Sequence, residues 1–576
     1  MTGGTREVAV RLTEASDEEL ARLLIARSVS PDVDWRDLFD AAESLLSEAA
    51  LARTLAGLSG AALATLTAGA AAPVEGPHAE HLRALLLTDA SGITLPGVTA
   101  LLAPLGEVAA VASGTHVEAD AAATAAASER VTSGLGAMSD ILLSALENPI
   151  ALLGTGLLGA TDRRRLTDEI GEHLEIDPLL ALAETAGLLL REGRTLVPSL
   201  EGEIWLGDET PARWMRVARA FVRQLPRAGA SGVGGLGWTP APTWPTAYPA
   251  DPTWPNRAGA LRAQGVAWGL LADDGSEPPW TLALRDDSED DVAAALAAAL
   301  PGEVDRIYLQ NDLTAISPGP LRPGLERRLR TLARRESHAQ ASTFRFNDST
   351  IGGALGHGET AETILAFLGE LSLTGVPQPL EYLVRSSADR HGSIRVTGEP
   401  DGLTWVSSDD AALLETLLVD QTLRALGLVR DIYDEKLSRL RSRISRDTVV
   451  WALVDARYPA VAINARGKVE AVRRGRLPSA PLDDENPLER YEPLIERLRG
   501  ASSGDADAAW LHRELDTAVR ARSVIDVEVE MPGGATRVFS LEATGLGGGR
   551  LRGRDRNADV ERTVPLSSIL SIRHPG

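Results

Sequence analysis

The chain has 576 residues, a length that corresponds to about four domains of average size rather than one core. Hydrophobic residues make up 44% and charged residues 24%, which excludes wholesale disorder. Cysteine is absent, which excludes disulfides, thiol nucleophiles and cysteine-ligated zinc or iron–sulfur sites. The first residues lack the apolar core of a secretory signal, and the uncharged run 54–74 is too weakly apolar to span a membrane. We therefore expect a soluble, cytoplasmic protein.

Charge is distributed unevenly along the chain. The net charge is −23, but residues 1–300 carry 21 basic against 41 acidic side chains, whereas residues 301–576 carry 37 against 40. The basic residues of the second half form three runs: Arg327, Arg328, Arg330, Arg334 and Arg335; Lys436, Arg439, Arg441, Arg443 and Arg446; and Arg466, Lys468, Arg473, Arg474 and Arg476. Each run fits either a solvated surface or phosphate contacts, because arginine binds phosphate bidentately. The asymmetry favours an anionic partner for the second half.

The first 135 residues are predicted to form a small helical domain. Ser16-Asp-Glu-Glu19 has the pattern of a capping box and opens a helix through Leu20 and Leu24. Apolar residues three and four positions apart predict further helices over 34–50 and 59–67.

Residues 136–226 have the element order of a winged-helix domain. Helices are predicted over 163–174 and 179–186, followed by a hairpin of strands 187–190 and 195–197. Such a module places its second helix in a DNA groove or contacts protein. The acidic residues Glu172, Glu175, Asp177 and Glu184 favour a protein contact here.

A Gly-, Pro- and Trp-rich segment, residues 227–256, is predicted to be a linker or extended arm. Burial of its tryptophans favours packing on a neighbouring domain. The next domain, residues 257–480, is predicted from strands over 280–284 and 307–316 and from helices over 292–300, 325–335, 360–370, 380–390 and 411–418. A short helix from Asp348 or Ser349 and a hairpin of strands 393–396 and 403–406 repeat the order of helices followed by a wing.

The end of the chain is predicted to be a small β-barrel domain over residues 505–576. An acidic spacer, 483–492, precedes a helix over 508–521 and strands over 524–530, 537–541, 550–553 and 563–572. The fold class is thus α+β, helix-rich and modular, with winged-helix-like modules and a C-terminal barrel.

The sequence contains no recognisable catalytic constellation. It has no G-x-x-x-x-G-K-[ST] phosphate loop, no G-x-S-x-G and no H-E-x-x-H. Two G-x-G-x-x-G matches, at 154–159 and 232–237, lack the βαβ context of a dinucleotide site, so the first is interpreted as an interhelical turn and the second as part of the linker. His78 and His81 lack an obvious third ligand. We therefore predict a non-enzyme without cofactor or metal.

The middle of the chain resembles the helicase-associated proteins of actinobacteria over about residues 300–420. The resemblance rests on Tyr308-Leu-Gln-Asn-Asp-Leu-Thr314, Phe344-Arg-Phe346, Val376-Pro-Gln-Pro-Leu380 and Arg390-His-Gly392. These proteins carry a domain similar to the N-terminal domain of XPB-type DNA repair helicases. The resemblance implies an accessory role in DNA repair or transcription, because the ATPase lobes of such helicases have no counterpart here.

The C-terminal segment from Leu511 resembles the WYL domain family, through Val527–Glu530, Gly548-Gly-Arg-Leu-Arg552 and Glu561-Arg-Thr-Val564. The Trp-Tyr-Leu motif that names the family is not visible. The resemblance implies a small barrel that binds nucleic acid or a regulatory ligand. Arg550, Arg552, Arg554 and Arg556 alternate, so that two of the four would share one strand face. They form either a phosphate-contacting stripe or exposed decoration.

These observations support one leading hypothesis about function and leave alternatives open. The leading hypothesis is a non-catalytic, DNA-associated scaffold that acts with a repair or transcription helicase and binds single-stranded or duplex DNA through its second half. The alternatives are a WYL-type ligand-responsive regulator or a pure protein–protein adaptor, and an enzyme with an unrecognised site. The candidate DNA-contacting residues are Arg327, Arg328, Arg330, Arg334, Arg335, Arg439, Arg441, Arg443, Arg473, Arg474, Arg550, Arg552, Arg554 and Arg556.

Overall fold

The computed structural model describes residues 3–106, 115–171, 174–226, 238–336, 341–356, 358–399, 402–431, 439–464, 466–467, 469–470, 472, 477–479, 487–501, 506–531 and 534–573. In these ranges the protein is α+β and rich in helix, as predicted, with its strands in small sheets. No helix of the described residues is long and apolar enough to cross a membrane.

The first part of the chain is a helical unit with one apolar core. Its helices are α1 (Gly3–Glu14), α2 (Asp17–Ala26), α3 (Leu38–Leu45), α4 (Glu48–Ala56), α5 (Gly60–Ala68), α6 (Ala79–Ala84) and α7 (Pro96–Leu102), with a 3₁₀ turn at Ala103–Leu105. The capping box is confirmed: Ser16 Oγ accepts from the Glu19 amide at 3.2 Å, and Glu19 accepts from the Ser16 amide at 2.8 Å. The single helix predicted over 34–50 is wrong, because Ser47 caps a new helix at that point.

The second unit is built around a long helix and the tryptophan-rich segment. Its elements are α8 (Ala121–Glu147), β1 (Ile150–Ala151), α9 (Ala160–Ile170), α10 (Ile176–Thr185), β2 (Leu189–Glu192), β3 (Thr195–Pro198), α11 (Leu200–Trp205), α12 (Thr210–Val222), a 3₁₀ helix (Ala241–Thr246), α13 (Trp254–Ala267), α14 (Pro279–Arg285) and α15 (Glu289–Ala299). The two helices and the hairpin predicted here are confirmed, and the antiparallel sheet has the order β1-β3-β2. The winged-helix assignment stays a prediction.

One apolar core extends through this unit from Ala127 to Leu296. It includes Trp238, Trp244 and Trp254 of the predicted linker, each at most 3% exposed. The indole N–H of Trp238 donates to Glu277 at 3.1 Å, which keeps this polar group satisfied inside the core. The predicted boundaries at 135 and 256 lie inside α8 and α13, so neither coincides with a break between elements.

The predicted strand over 280–284 is wrong, because this segment is the helix α14. Pro278 precedes α14 and Pro279 is its first residue, and proline at the first helical position favours a helix start. Trp280 is fully buried, and its indole N–H donates to the Gly269 carbonyl at 2.8 Å.

Residues 307–390 form a third unit with its own core. Its elements are β4 (Tyr308–Leu309), β5 (Thr314–Ser317), α16 (Pro323–Leu332), β6 (Arg334–Arg335), β7 (Ser342–Arg345), α17 (Asp348–Gly356), α18 (Ala361–Leu371) and α19 (Gln378–Arg390). The antiparallel sheet has the order β4-β5-β7-β6. The one strand predicted over 307–316 is a hairpin, since Asp312 accepts from the Thr314 amide and hydroxyl and closes a turn.

The fourth unit is a six-stranded sheet that packs one face on a helical core. Its elements are β8 (Ile394–Gly398), β9 (Thr404–Ser407), α20 (Ala411–Val419), a 3₁₀ helix (Gln421–Leu426), β10 (Val429–Arg430), β11 (Arg439–Ser442), α21 (Arg446–Asp455), β12 (Ala460–Ile463) and β13 (Val469–Glu470). The strand order is β10-β11-β9-β8-β12-β13, and only the β8–β12 pair of this sheet is parallel. The hairpin predicted over 393–406 is confirmed as β8–β9.

The C-terminal part contains α22 (Pro487–Ala501), α23 (Ala506–Ala521), β14 (Val524–Glu530), β15 (Thr536–Gly547), β16 (Arg550–Asp555), β17 (Val560–Pro565), a 3₁₀ turn (Leu566–Ser568) and β18 (Ile569–Arg573). The strand order is β17-β16-β15-β14-β18. The predicted barrel is not closed, because in the described residues no ladder joins β17 to β18. The short connection from Pro565 to Ile569 nevertheless limits the distance between the end of β17 and the start of β18 to about 14 Å. This is less than the width of a flat sheet of five strands, so the sheet is curled.

Part of the predicted acidic spacer is helix α22, which docks on the first helical unit. Tyr491, Leu494, Ile495 and Leu498 of α22 are buried in the core of that unit. Arg499 donates to the Thr13 carbonyl at the end of α1, at 2.7 Å. Positions three and four apart thus bury one face of α22. The sequence segment 483–486 lies outside the described residues.

Candidate nucleic-acid interface

The arginines of α16 face other parts of the protein. Arg330 pairs with Asp140 of α8, whose side chain is 2% exposed, and Arg335 lies 4.0 Å from the same carboxylate. Arg335 also pairs with Glu326 at 3.4 Å. The side chains of Arg330 of α16 and Arg335 of β6 are each 14% exposed, so this cluster joins α16 and β6 to α8. Its geometry favours docking between units over contact with a ligand.

Two further arginines of α16 are engaged by carboxylates. Arg327 pairs with Glu203 of α11 at 3.2 Å. Arg328 donates to both oxygens of Glu359, at 2.9 and 3.0 Å, and stacks over the Phe367 ring at 4.4 Å. Burial raises the pKa of Glu359, but its hydrogen bonds from Arg328 and Thr363 outweigh this effect and leave the pKa below its usual value. The carboxylate is therefore ionised at neutral pH and holds Arg328.

Beside this interface lies a buried arginine that the sequence analysis did not select. Arg213 is 5% exposed, stacks over Trp205 at 4.1 Å and donates to the Leu135 carbonyl at 3.3 Å. Burial lowers the pKa of Arg213 to about 10, so it remains a cation at neutral pH. Its role is to position α12 against α8.

The second basic run lies on the outer face of the six-stranded sheet. Leu440 is buried, whereas its neighbours Arg439 and Arg441 point to the opposite face. Arg439 pairs with Asp431 at 2.8 Å and stacks over the Trp405 ring at 4.6 Å. Among the residues that the structure describes, Arg441 forms no ion pair.

The rows across this sheet place an aromatic side chain beside these cations. Arg441 lies opposite Trp405 on β9 and opposite Val429 on β10, and Trp405 lies opposite Thr397 on β8. Arg443 follows the end of β11, is exposed and has no ion pair within the described part of the chain. This surface of Trp405, Arg439, Arg441 and Arg443 is called the Trp405 face below. The sequence analysis missed Trp405, although the alternation in Thr404-Trp-Val-Ser407 predicts its outward direction.

The C-terminal arginines are also distributed over a sheet. In β16 the exposed residues Arg550, Arg552 and Arg554 alternate with the buried Leu551, Gly553 and Asp555. The prediction that two of the four would share a face is therefore wrong: the three in β16 share it, because residues two apart in a strand point the same way.

Ion pairs separate these arginines into two groups. Arg554 pairs with Asp559 at 2.8 Å, and Arg556 pairs with Glu542 at 2.9 Å. The hydrogen bond that Arg554 donates to the Asp559 carboxylate raises the pKa of Arg554. Arg550 and Arg552 lie opposite Gly547 and Gly545 of β15, where no side chain competes for space, and neither pairs with a described carboxylate.

Three candidate arginines remain, one within the described residues and two outside them. Arg334 is exposed and forms no ion pair with a described residue. Arg473 and Arg474 lie outside the described residues. A specific subset of the predicted contact residues thus forms no ion pair with any residue that the structure describes: Arg334, Arg441, Arg443, Arg550 and Arg552.

The first glycine-rich match forms the turn between β1 and α9, not the interhelical turn that the sequence predicted. Gly156 adopts a positive φ of 81°, and the Leu153 amide donates to the Leu157 carbonyl across this turn at 2.8 Å. Because β1 pairs antiparallel with β3, the loop lacks the parallel βαβ setting of a dinucleotide site. The second match, 232–237, lies outside the described residues.

No group of three or more metal-ligating side chains occurs among the described residues. The side chain of His81 lies at the surface of the first helical unit, and partial burial, with a smaller effect of His78, lowers its pKa.

Comparison with known proteins relates the third unit, and part of the fourth, to helicases. Residues 307–431 match a family model described as a helicase conserved C-terminal domain. The match supports the predicted helicase relationship of the middle of the chain. It begins at β4 and ends at Asp431, and it includes Trp405. No curated protein matches the chain.

Proposed function

We propose that this protein is a non-catalytic accessory factor of a DNA repair or transcription helicase, and that it binds DNA through the arginines whose charge is not engaged internally. The observation that carries the proposal is the position of Arg441 and Arg443. They follow the segment that matches the helicase family by 10 and 12 residues, and Arg441 lies on a strand that pairs with β9 of that segment; both are exposed and without ion pairs among the described residues.

The charge arrangement supports a restricted rather than a general DNA surface. Arg327, Arg328, Arg330 and Arg335 already have carboxylate partners, so contact with phosphate would require breaking those pairs. The free arginines are few, and the chain as a whole carries a net charge of −23. Long-range repulsion by the acidic first half would then oppose indiscriminate binding.

The finer assignments belong to the same proposal. The motif residues of 308–392 support a domain similar to that of XPB-type helicases, of the actinobacterial helicase-associated kind. The curled sheet that follows α23 supports a WYL-like domain, for which a ligand-sensing role is the alternative. The lack of a G-x-x-x-x-G-K-[ST] loop in these residues supports a role without ATP hydrolysis.

The test is fluorescence anisotropy of labelled single-stranded and duplex DNA with the full chain, at about 50 to 200 mM salt. The variants are the pairs R441A/R443A and R550A/R552A. The matched control is R36A/R53A, which removes two exposed arginines of the acidic half that have no described ion pair.

We expect binding that weakens steeply with salt, and a decrease in the salt slope of about 1 to 2 for each pair that contacts phosphate. The control pair should leave the slope unchanged. If the full chain binds neither DNA at 50 mM salt, direct DNA association is refuted and a protein–protein adaptor remains.

A further inference from the structure

We propose that the Trp405 face binds an unpaired base of single-stranded DNA, which stacks on the guanidinium of Arg439 while Arg441 and Arg443 contact the adjoining phosphates. The inference rests on the proposed function, because it specifies the form of nucleic acid that one of the free arginine surfaces recognises.

The first step is that the guanidinium of Arg439 lies over the indole ring of Trp405. The Arg439 guanidinium lies 4.6 Å from the centroid of the Trp405 ring. The side chain of Arg439 is 45% exposed, so its stack with the indole leaves guanidinium surface open to solvent. A nucleobase stacks on an arginine plane as it does on an aromatic ring.

The second step is that Arg439 is held in place before any ligand arrives. Asp431, whose side chain is 5% exposed, pairs with Arg439 at 2.8 Å. This pair neutralises much of the Arg439 charge, which makes it a poor phosphate ligand. A fixed, planar and largely neutralised guanidinium is suited to stacking, since little side-chain entropy is lost on binding.

The third step is that phosphate-binding charge lies next to the stack. Arg441 follows Arg439 by two residues on the same strand face, a spacing of about 7 Å. Arg441 also lies directly opposite Trp405, and Arg443 continues beyond the strand end. Within the described part of the chain, Arg395 lies in the same row of the sheet as Arg439, and it is paired with Asp409.

The geometry favours single-stranded over duplex DNA. The outer side of a sheet presents its side chains on one broad surface, and bases within a duplex already stack on each other and do not expose a face. A single strand supplies both an exposed base for the stack and phosphates for the neighbouring cations, as in other proteins that combine aromatic platforms with basic grooves.

The experiment compares two labelled oligonucleotides of equal length, an oligo-dT and an abasic strand with the same phosphates, by anisotropy with the full chain at about 50 mM salt. The variants are R439K, which keeps the charge but loses the planar group, and W405L, which keeps an apolar side chain but loses the ring. The control is R395K, on the same sheet but paired with Asp409.

We expect the wild-type protein to bind oligo-dT roughly tenfold more tightly than the abasic strand, because a tenfold difference lies within the range that stacking of one base contributes. R439K and W405L should reduce this ratio to about one, and R395K should preserve it. If W405L does not fold, R439K decides alone.

The outcomes separate this inference from the function on which it rests. Equal wild-type affinity for both strands, or an R439K variant that keeps the preference, overturns the stacking site and leaves DNA binding intact. Binding to neither strand overturns both proposals.

Discussion

The buried carboxylate of Asp140 should be one of the most sensitive positions for the docking of α16. In D140A the guanidinium groups of Arg330 and Arg335 would keep their burial and lose their shared anion. Removal of one partner from a buried ion pair costs about 3–5 kcal/mol. Both arginines are 14% exposed, so water replaces part of the loss, and we expect the lower end, about 3 kcal/mol.

This loss should lower the melting temperature of the unit that contains α8 by roughly 6–12 °C, at about 2–4 °C per kcal/mol for a unit of this size. Hydrogen exchange of peptides from α8 and α16 measures this loss of stability locally. A single unfolding transition of the whole chain would not, because the chain contains several units. The matched control is D273A. It removes an exposed pair with Arg130, in which Asp273 is 69% exposed, and should cost less than about 1 kcal/mol.

Two results would refute the reasoning about Asp140. One is a D140A protein whose exchange in α16 equals that of D273A. The other is an R330A variant that weakens DNA binding and reduces its salt slope, since this would assign Arg330 to phosphate and not to docking.

Three other regions of the structure carry predictions. Burial raises the pKa of Glu514 to about 7, and a weaker effect of Arg6 opposes it. Because the unfolded chain releases this proton near pH 4.5, the free energy of unfolding should decrease as the pH rises from about 4.5 to 7. E514Q should abolish this pH dependence in urea titrations. L494A should lower the free energy of unfolding by about 2–5 kcal/mol, because it leaves a cavity in the core under α22, and it should increase hydrogen exchange in α1 and α2. Glu496 is exposed, so E496A should change neither the stability nor the exchange. G549A should lower the free energy of unfolding by about 1 kcal/mol, because Gly548 and Gly549 have φ of 61° and 72° in the β15–β16 turn. G545A is the control, since Gly545 has open space around it and no positive φ, and thermal melts should show no comparable loss of stability for it.

Local elements were predictable where the signal lay within a few residues. The Ser16–Glu19 capping box and the helix α18 capped by Thr360 follow from side chains that bond their own backbone neighbours, and the hairpin β2–β3 follows from a turn at Gly193, whose φ is 60°. The Trp280 segment failed because an apolar run of five residues fits a buried strand and a buried helix equally, and its burial against α13 and α15 neighbours is not a local property. The helix α22 was missed for a related reason: its apolar positions are buried in the core of the first helical unit, chiefly against α2, which lies more than 400 residues away in the sequence.

The sequence by itself determined the class of the protein, the position of most helices and the concentration of arginine in the second half, because composition, capping and periodicity are properties of short segments. It also determined the helicase-like middle segment, which its motifs and the family match share. Only the tertiary structure decided which arginines remain available. Asp140, Glu203 and Glu359 lie 190, 124 and 31 residues from the cations that they neutralise. Charge pairing acts through distance in space, so the same run of arginines is a docking surface on α16 and an open cationic surface on β11.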